Sequence, residues 1–288
     1  MSADKAGQSN KAYHNRQFMD GSDARPLRLL AEYLEPMERF EDFNIRDTIL
    51  VFGSARIKSR EAAEAALETA RETARETARE TARETATKSG DGIAKAERDL
   101  LHSRYYEDTR ELAFRLTEWS KGLNQTARRF VICSGGGPGI MEAANRGASE
   151  AKGENMGLGI SLPMEQGNNP YITRRLDFEF HYFFMRKFWF LYLAKAVVLM
   201  PGGFGTMDEL FESLTLVQTG KMTKALPIVL YGNDFWDRVI DFDALIEYGT
   251  ISPEDVNLFH RSDTVDDAFE YITCRLLTDA LGQPGICL

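Results

Sequence analysis

The chain has 288 residues, 43% of them hydrophobic and 27% charged, with a formal net charge of −9. That length buries a large core in one or two domains, and the acidic balance excludes a broad nucleic-acid surface while leaving room for a local basic pocket. Cys133, Cys274 and Cys287, with only four histidines, form no CxxC, Cys/His or HExxH pattern, which excludes a disulfide framework and a zinc site and fits a reducing cytoplasm.

The opening stretch, MSADKAGQSNKAYHNRQ, is polar and lacks the apolar core of a signal peptide, so residues 1–25 read as a flexible arm. Leu27, Leu30, Leu34, Met37 and Phe40 give Pro26–Phe43 the apolar spacing of a leading helix or two. Residues 1–46 are read as this arm and its helices, and 47–288 as a single domain. No run reaches the roughly 18 apolar residues of a membrane span. The nearest, Phe178–Val198, carries Glu179, Arg186, Lys187 and Lys195.

The first predicted strand is Thr48–Phe52, which ends in Gly53-Ser54-Ala55-Arg56. Arg129–Cys133 is a second, running into Ser134-Gly-Gly-Gly-Pro-Gly139 and a helix from Ile140 to Lys152. Met156–Ser161, Asp177–Phe180, Ala196–Met200 and Pro227–Tyr231 are further strands, with helices at Phe183–Lys195, Thr206–Thr219, Asp234–Tyr248 and Thr264–Leu281. Apolar strands alternating with helices indicate an α/β, doubly wound, Rossmann-like fold with a parallel sheet covered on both faces.

One segment breaks the rhythm. From Glu68 to Ala86 the sequence repeats Glu-Thr-Ala-Arg with a period of four. The composition is strongly helix-forming, but each stripe winds by about 40° per repeat, so no single buried face is sustained. Arg71, Arg75, Arg79 and Arg83 stack like charges at i,i+4, while Glu72–Arg75 and its equivalents pair favourably at i,i+3. A solvated helical insertion at about 59–103 is expected, broken at Ser89–Gly92 and returning along Ala94–Trp119 as the second arm of a hairpin. It leaves the chain just after the first strand, on the edge where such sheets bind ligands.

The two glycine turns carry the chemistry. Each follows a strand and opens a helix, where glycines let backbone N–H groups approach an anion and the helix N-terminus adds partial positive charge. This nominates Ser54, Gly135, Gly136, Gly137, Gly139, Gly202, Gly203, Gly205 and Thr206 as a phosphate cradle, with Thr206 as N-cap. There is no GxxxxGK[ST], and GGGPG is not GxGxxG, which disfavours P-loop and nicotinamide enzymes. Glu209 fits two roles: the N3 residue of a capping box with Thr206, or a carboxylate beside a bound sugar. Arg186 fits a site residue or a snorkelling arginine in an aromatic helix. The aromatic run Phe183–Tyr192 reads as core and subunit interface, predicting a homo-oligomer, dimer or higher.

SGGGPGIMEAANRGA (Ser134–Ala148), FMRK (Phe184–Lys187) and PGGFGTMDE (Pro201–Glu209) together resemble the LOG ("lonely guy") family, cytokinin riboside 5′-monophosphate phosphoribohydrolases often labelled "possible lysine decarboxylase". The resemblance spans roughly Thr48 to Tyr248, and the leading helices, VFGSAR and SLPMEQGNNPY look like its longer bacterial subgroup. It implies hydrolysis of the N-glycosidic bond of a nucleoside 5′-monophosphate, with Arg186 and Glu209 as the catalytic pair and neither metal nor cofactor. Glu142 and Glu165 are candidate substrate contacts or leaving-group acids. A non-catalytic nucleotide carrier of the same fold, or a general AMP nucleosidase, are the alternatives. Decarboxylation ordinarily needs a Schiff-base lysine on pyridoxal phosphate, and no lysine lies beside either glycine turn.

Overall fold

The computed structural model describes residues 11–80, 84–123, 125–161 and 167–285, without the side chains of 77–80 and 84–90. In chain order the elements are α1 (Arg16–Met19), α2 (Arg25–Asp42), β1 (Thr48–Phe52), α3 (Arg60–Glu80), α4 (Glu84–Lys121), β2 (Val131–Ser134) and α5 (Ile140–Glu150). Then come β3 (Asn155–Ile160), β4 (Asp177–Phe180), α6 (Phe183–Leu193), β5 (Ala194–Leu199), α7 (Phe204–Gln218), β6 (Ile228–Tyr231), α8 (Asn233–Val239), α9 (Phe242–Glu247), β7 (His260–Ser262) and α10 (Val265–Asp279).

The seven strands form one sheet in the order β4-β3-β2-β1-β5-β6-β7, every neighbouring pair parallel. The doubly wound Rossmann-like α/β architecture expected from the strand–helix rhythm is the one observed. The period-two alternation of strand side chains builds two core layers. Leu50 and Phe52 of β1 pack with Phe40, Trp189, Phe190, Leu210 and Trp236. Ile49 and Val51 pack with Tyr106, Leu112, Leu116, Ile140 and Ile272. Burial on both faces is why β1, β2, β6 and the Ala196–Leu199 part of β5 read as largely apolar runs. The chain adds β2, β3 and β4 on one side of β1, then crosses to add β5, β6 and β7 on the other. The switch point therefore lies at the carboxyl ends of β1 and β5.

Several elements depart from expectation. β7 is three polar residues, His-Arg-Ser, at the sheet edge, too short and polar to carry a strand pattern. The helix expected over Asp234–Tyr248 is two, because the Asp241 carboxylate accepts from Ala244 N (2.9 Å) and starts α9 afresh. Ser89–Gly92 do not break the hairpin's second arm: α4 is continuous from Glu84 to Lys121, its flanking helix formers offsetting roughly 1 kcal/mol for each glycine. The arm is not wholly loose either. Residues 12–14, 16–19 and 22–24 form short helical turns, and Arg28 Nη1 donates to Met19 O (2.5 Å) and Gly21 O (2.8 Å).

α3 and α4 lie against one another, with Ala63, Leu67 and Ala96 buried and Arg71 Nη2 3.8 Å from Glu97 Oε1. Arg79 and Arg83 lie outside the described side chains. α4 then continues past the hairpin to bury Tyr105, Tyr106, Leu112 and Leu116 on the sheet, so the insertion grows out of a core helix.

At the amino ends of the strands, Asp47 is fully buried and bonded to Arg129, with Lys195 Nζ 3.9 Å away. Arg129 also donates to Leu281 O (3.0 Å) and Ala280 O (2.8 Å), and Asp47 accepts from Gly285 N (3.1 Å). Burial outweighs its cations and hydrogen bonds and holds the Asp47 carboxyl above its usual range.

Candidate active site

A cleft of about 670 Å³ opens at the switch point, lined by Ser54–Arg56 after β1, Gly202–Met207 and Glu209 after β5, Phe183 and Arg186 of α6, and Val239 of α8. Its size is that of a small-ligand site. Of the expected site residues, the structure brings together Ser54, Gly202, Gly203, Gly205, Thr206, Arg186 and Glu209.

The first glycine turn plays a different part. Gly135, Gly136, Gly137 and Gly139 do not line the cleft. Gly136 N is taken by Ser134 Oγ (3.0 Å), and the carbonyls of Gly136 and Gly137 accept from Asn169 Nδ2 (2.9 and 3.2 Å). Asn169 bonds Asn145 (2.9 Å), which in turn bonds Ser134 (2.6 Å) and Asn155 (2.9 Å), so a buried polar network grips the turn. Gly135 makes room for a site residue, since a Cβ there would lie 2.7 Å from Arg186 Nη2. Gly139, at φ 70°, lets the turn press on Ser54 O and Ala55.

Ser54 stitches the ends of β1 and β5 to the start of α5. Its N donates to Pro201 O (3.0 Å), its O accepts from Ile140 N (3.1 Å), and its Oγ accepts from Arg56 N (3.1 Å).

α7 begins two residues earlier than expected. Gly203 is its N-cap and Met207 N donates to Gly203 O (3.0 Å), which puts Thr206 at N3. No side chain caps the helix, so the Thr206–Glu209 capping box is not formed. The cause is Gly202: Thr206 turns inward and packs on it, so that a Cβ on Gly202 would lie 2.6 Å from Thr206 Cβ. The amides of Phe204, Gly205 and Thr206 are thereby the first-turn donors that have no acceptor inside the helix.

Freed from capping, Glu209 is buried, 5% exposed, and its Oε2 has no hydrogen-bond partner among the described residues. Burial is the largest influence on its carboxyl and pushes it up to about 7. Lys187 and Arg186 pull it down, Glu212 and Asp208 push it up. Arg186 is fixed by donation from Nε to Leu158 O (2.7 Å) and by the Phe190 ring 5.0 Å from its Cζ. α6 itself is held by α2: Glu32 accepts from His181 N (2.7 Å) and Tyr182 N (3.2 Å), and Trp189 Nε1 donates to Glu32 O (2.9 Å).

Glu142 is not delivered to the cleft, because Tyr106 of α4 donates to its Oε1 at 2.7 Å. Glu165 lies outside the described residues. Arg56, Phe204 and Val239 are among the contributors that sequence reasoning missed. Arg56 lines the cleft, and its guanidinium makes no ion pair among the described residues. Phe204, 97% exposed, stands at the cleft mouth, and Val239 closes the far wall. Arg56 sits within the VFGSAR strand end and was the one with a signal; the other two had none. Among the described residues no three His, Cys, Asp or Glu side chains converge as a metal site would. No helix among them is long and apolar enough to cross a membrane.

No lysine lines the cleft among the described residues. Lys187 is engaged by carboxylates, and Lys195 sits beside Asp47 at the other end of the sheet. The residues present do not fit a Schiff-base cofactor.

No curated protein matches the chain in sequence. Among solved structures, a structural-genomics target named TM1055 is 22% identical, covering 60% of this chain and 89% of its own, with a TM-score of 0.41. The Moco carrier protein from Chlamydomonas reinhardtii is 16% identical, covering 81% of this chain and 99% of its own, with a TM-score of 0.40. Residues 141–272 match the family model described as "Possible lysine decarboxylase". Over residues 141–272 the chain is thus similar to that family, the one its sequence motifs resemble.

Proposed function

We propose that the chain hydrolyses the N-glycosidic bond of a nucleoside 5′-monophosphate, releasing the free base and ribose 5-phosphate. The observation that carries this reading is Glu209, a buried carboxylate with one oxygen unpartnered, beside a helix N-terminus with free amides. An uncommitted buried carboxylate costs stability, and such a cost is characteristic of catalytic positions.

In this reading the 5′-phosphate sits on the amides of Phe204, Gly205 and Thr206, with Arg56 as counter-ion. The C1′–N bond breaks with its electron pair leaving on the base, which takes up a proton from solvent. Positive charge builds on the ribose ring, and Glu209 stabilises it. A water adds its oxygen to C1′, and its proton passes to Glu209. Arg186, anchored on Leu158 O, orients the carboxylate and the sugar. The base is adenine, or adenine carrying an N6 prenyl group. A second copy of the chain covers the exposed Phe183 and Phe184 at the start of α6, whereas Trp189, Phe190 and Leu191 are already buried within the chain.

The test is incubation with AMP and with N6-prenylated AMP, reading ribose 5-phosphate, for the wild type and Glu209→Gln. Release by the wild type, lost in the variant, is the expected result. Nucleotide binding with no release from either substrate replaces this reading with a nucleotide carrier.

A further inference from the structure

α7 presents Asp208, Glu209 and Glu212 on one face, since positions three and four apart are neighbours on a helix. A single lysine from the facing helix α6 enters among them. Lys187 Nζ lies 2.5 Å from Asp208 Oδ2, 3.0 Å from Glu212 Oε2 and 3.9 Å from Glu209 Oε1. Three carboxylates around one ammonium is a poor structural bridge, because one partner suffices and the others repel each other. The arrangement is graded: the most exposed carboxylate takes the shortest contact and the buried Glu209 the longest. The other charges facing Glu209 are Arg186 from α6 and, across the cleft, Arg56 after β1.

We propose that Lys187 is a positioning residue for Glu209, an ammonium that Asp208 and Glu212 hold in place so that it favours the charged Glu209 carboxylate against burial while that carboxylate's unpartnered oxygen stays available to the ligand. The inference rests on the reading of Glu209 as the working carboxylate. Asp208 and Glu212 keep Lys187 from closing a tight bond with Glu209 that would bury its charge in an inert pair. Lys187 itself is held above the usual lysine range: burial works against its charge, and the three carboxylates outweigh it. It therefore remains an ammonium throughout the range in which Glu209 titrates.

The experiment is a carboxyl-carbon NMR titration of the full chain labelled at the glutamate side-chain carboxyl, with Glu209 assigned by its loss in Glu209→Gln. The wild-type midpoint is expected near about 7. Lys187→Met should raise it by about one pH unit or more, and Lys187→Arg should restore it. Glu212→Gln, which removes a like charge, should lower it, and this variant carries the test should Lys187→Met not fold. If the protein releases ribose 5-phosphate, the acid limb of kcat should move with the midpoint while KM stays within about twofold. An unmoved midpoint in both Lys187→Met and Glu212→Gln overturns the inference, even in an active enzyme. Midpoints that move as expected in a protein that releases no ribose 5-phosphate leave the inference standing and remove the hydrolase reading.

Discussion

Glu209→Gln separates a carboxylate kept for chemistry from one kept for structure, without any substrate. Burial lifts the Glu209 carboxyl from its ordinary 4.5 to about 7. Between those values the folded chain holds a proton that the unfolded chain has released, so stability falls as pH rises through that window and levels off above it. A gap of roughly 2.5 units at about 1.36 kcal/mol each makes the loss about 3 kcal/mol by about pH 8. Glutamine has the same shape and cannot ionise. The variant should therefore melt close to wild type near about pH 4 and roughly 6–12 °C higher near about pH 8, at about 2–4 °C per kcal/mol for a domain of this size. Thermal unfolding followed by circular dichroism across that range is the assay. Parallel pH curves, or a variant that melts lower than wild type near about pH 8, would refute the claim that burial of Glu209 outweighs the cations beside it. A capping glutamate would produce that refuting pattern, because its charged form is the stabilising one.

Gly202→Ala places a methyl 2.6 Å from the Cβ of buried Thr206, so it should cost about 1–3 kcal/mol in urea unfolding and weaken AMP binding by calorimetry; wild-type values for both would contradict the packing that sets the start of α7. Arg56→Ala should raise KM for the nucleotide about tenfold and leave kcat within about threefold in a steady-state assay, as expected for a charge-assisted phosphate contact at the cleft edge. Arg129→Met strips Asp47 of its bonded partner in a fully buried position and should cost about 3–5 kcal/mol, much of it recovered in the Asp47→Asn/Arg129→Met double variant, both read by denaturant midpoints.

The sheet was legible where burial leaves a pattern: Thr48–Phe52, buried throughout, reads as an apolar run, edge strand Asp177–Phe180 reads as an alternation, and both begin and end where expected. β7 was invisible because a polar edge strand answers to its neighbour's backbone, not to a side-chain period. Local capping rules led to Thr206 as the start of α7, and they are sound rules for an isolated helix. Here a tertiary contact, Thr206 on Gly202, competes with them and wins. For the same reason the glycine turns looked equivalent in sequence. Nothing local reveals that Asn169, far along the chain, ties down the carbonyls of the first and turns it into a support. Arg56, Val239 and the carboxylates around Lys187 meet only because the sheet brings their elements together.

The three bonds of Ser54 have a consequence for how such a site arises. Through that one residue the ends of β1 and β5 and the start of α5 become a single mechanical part. Neither half of the cleft can exist until the central strand has docked against both neighbours, so ligand competence should emerge late in folding and all at once. The same junction constrains variation. The first glycine turn lies outside the cleft lining but bears on Ser54 and through it on Pro201, so a substitution there should read in an assay as a binding defect.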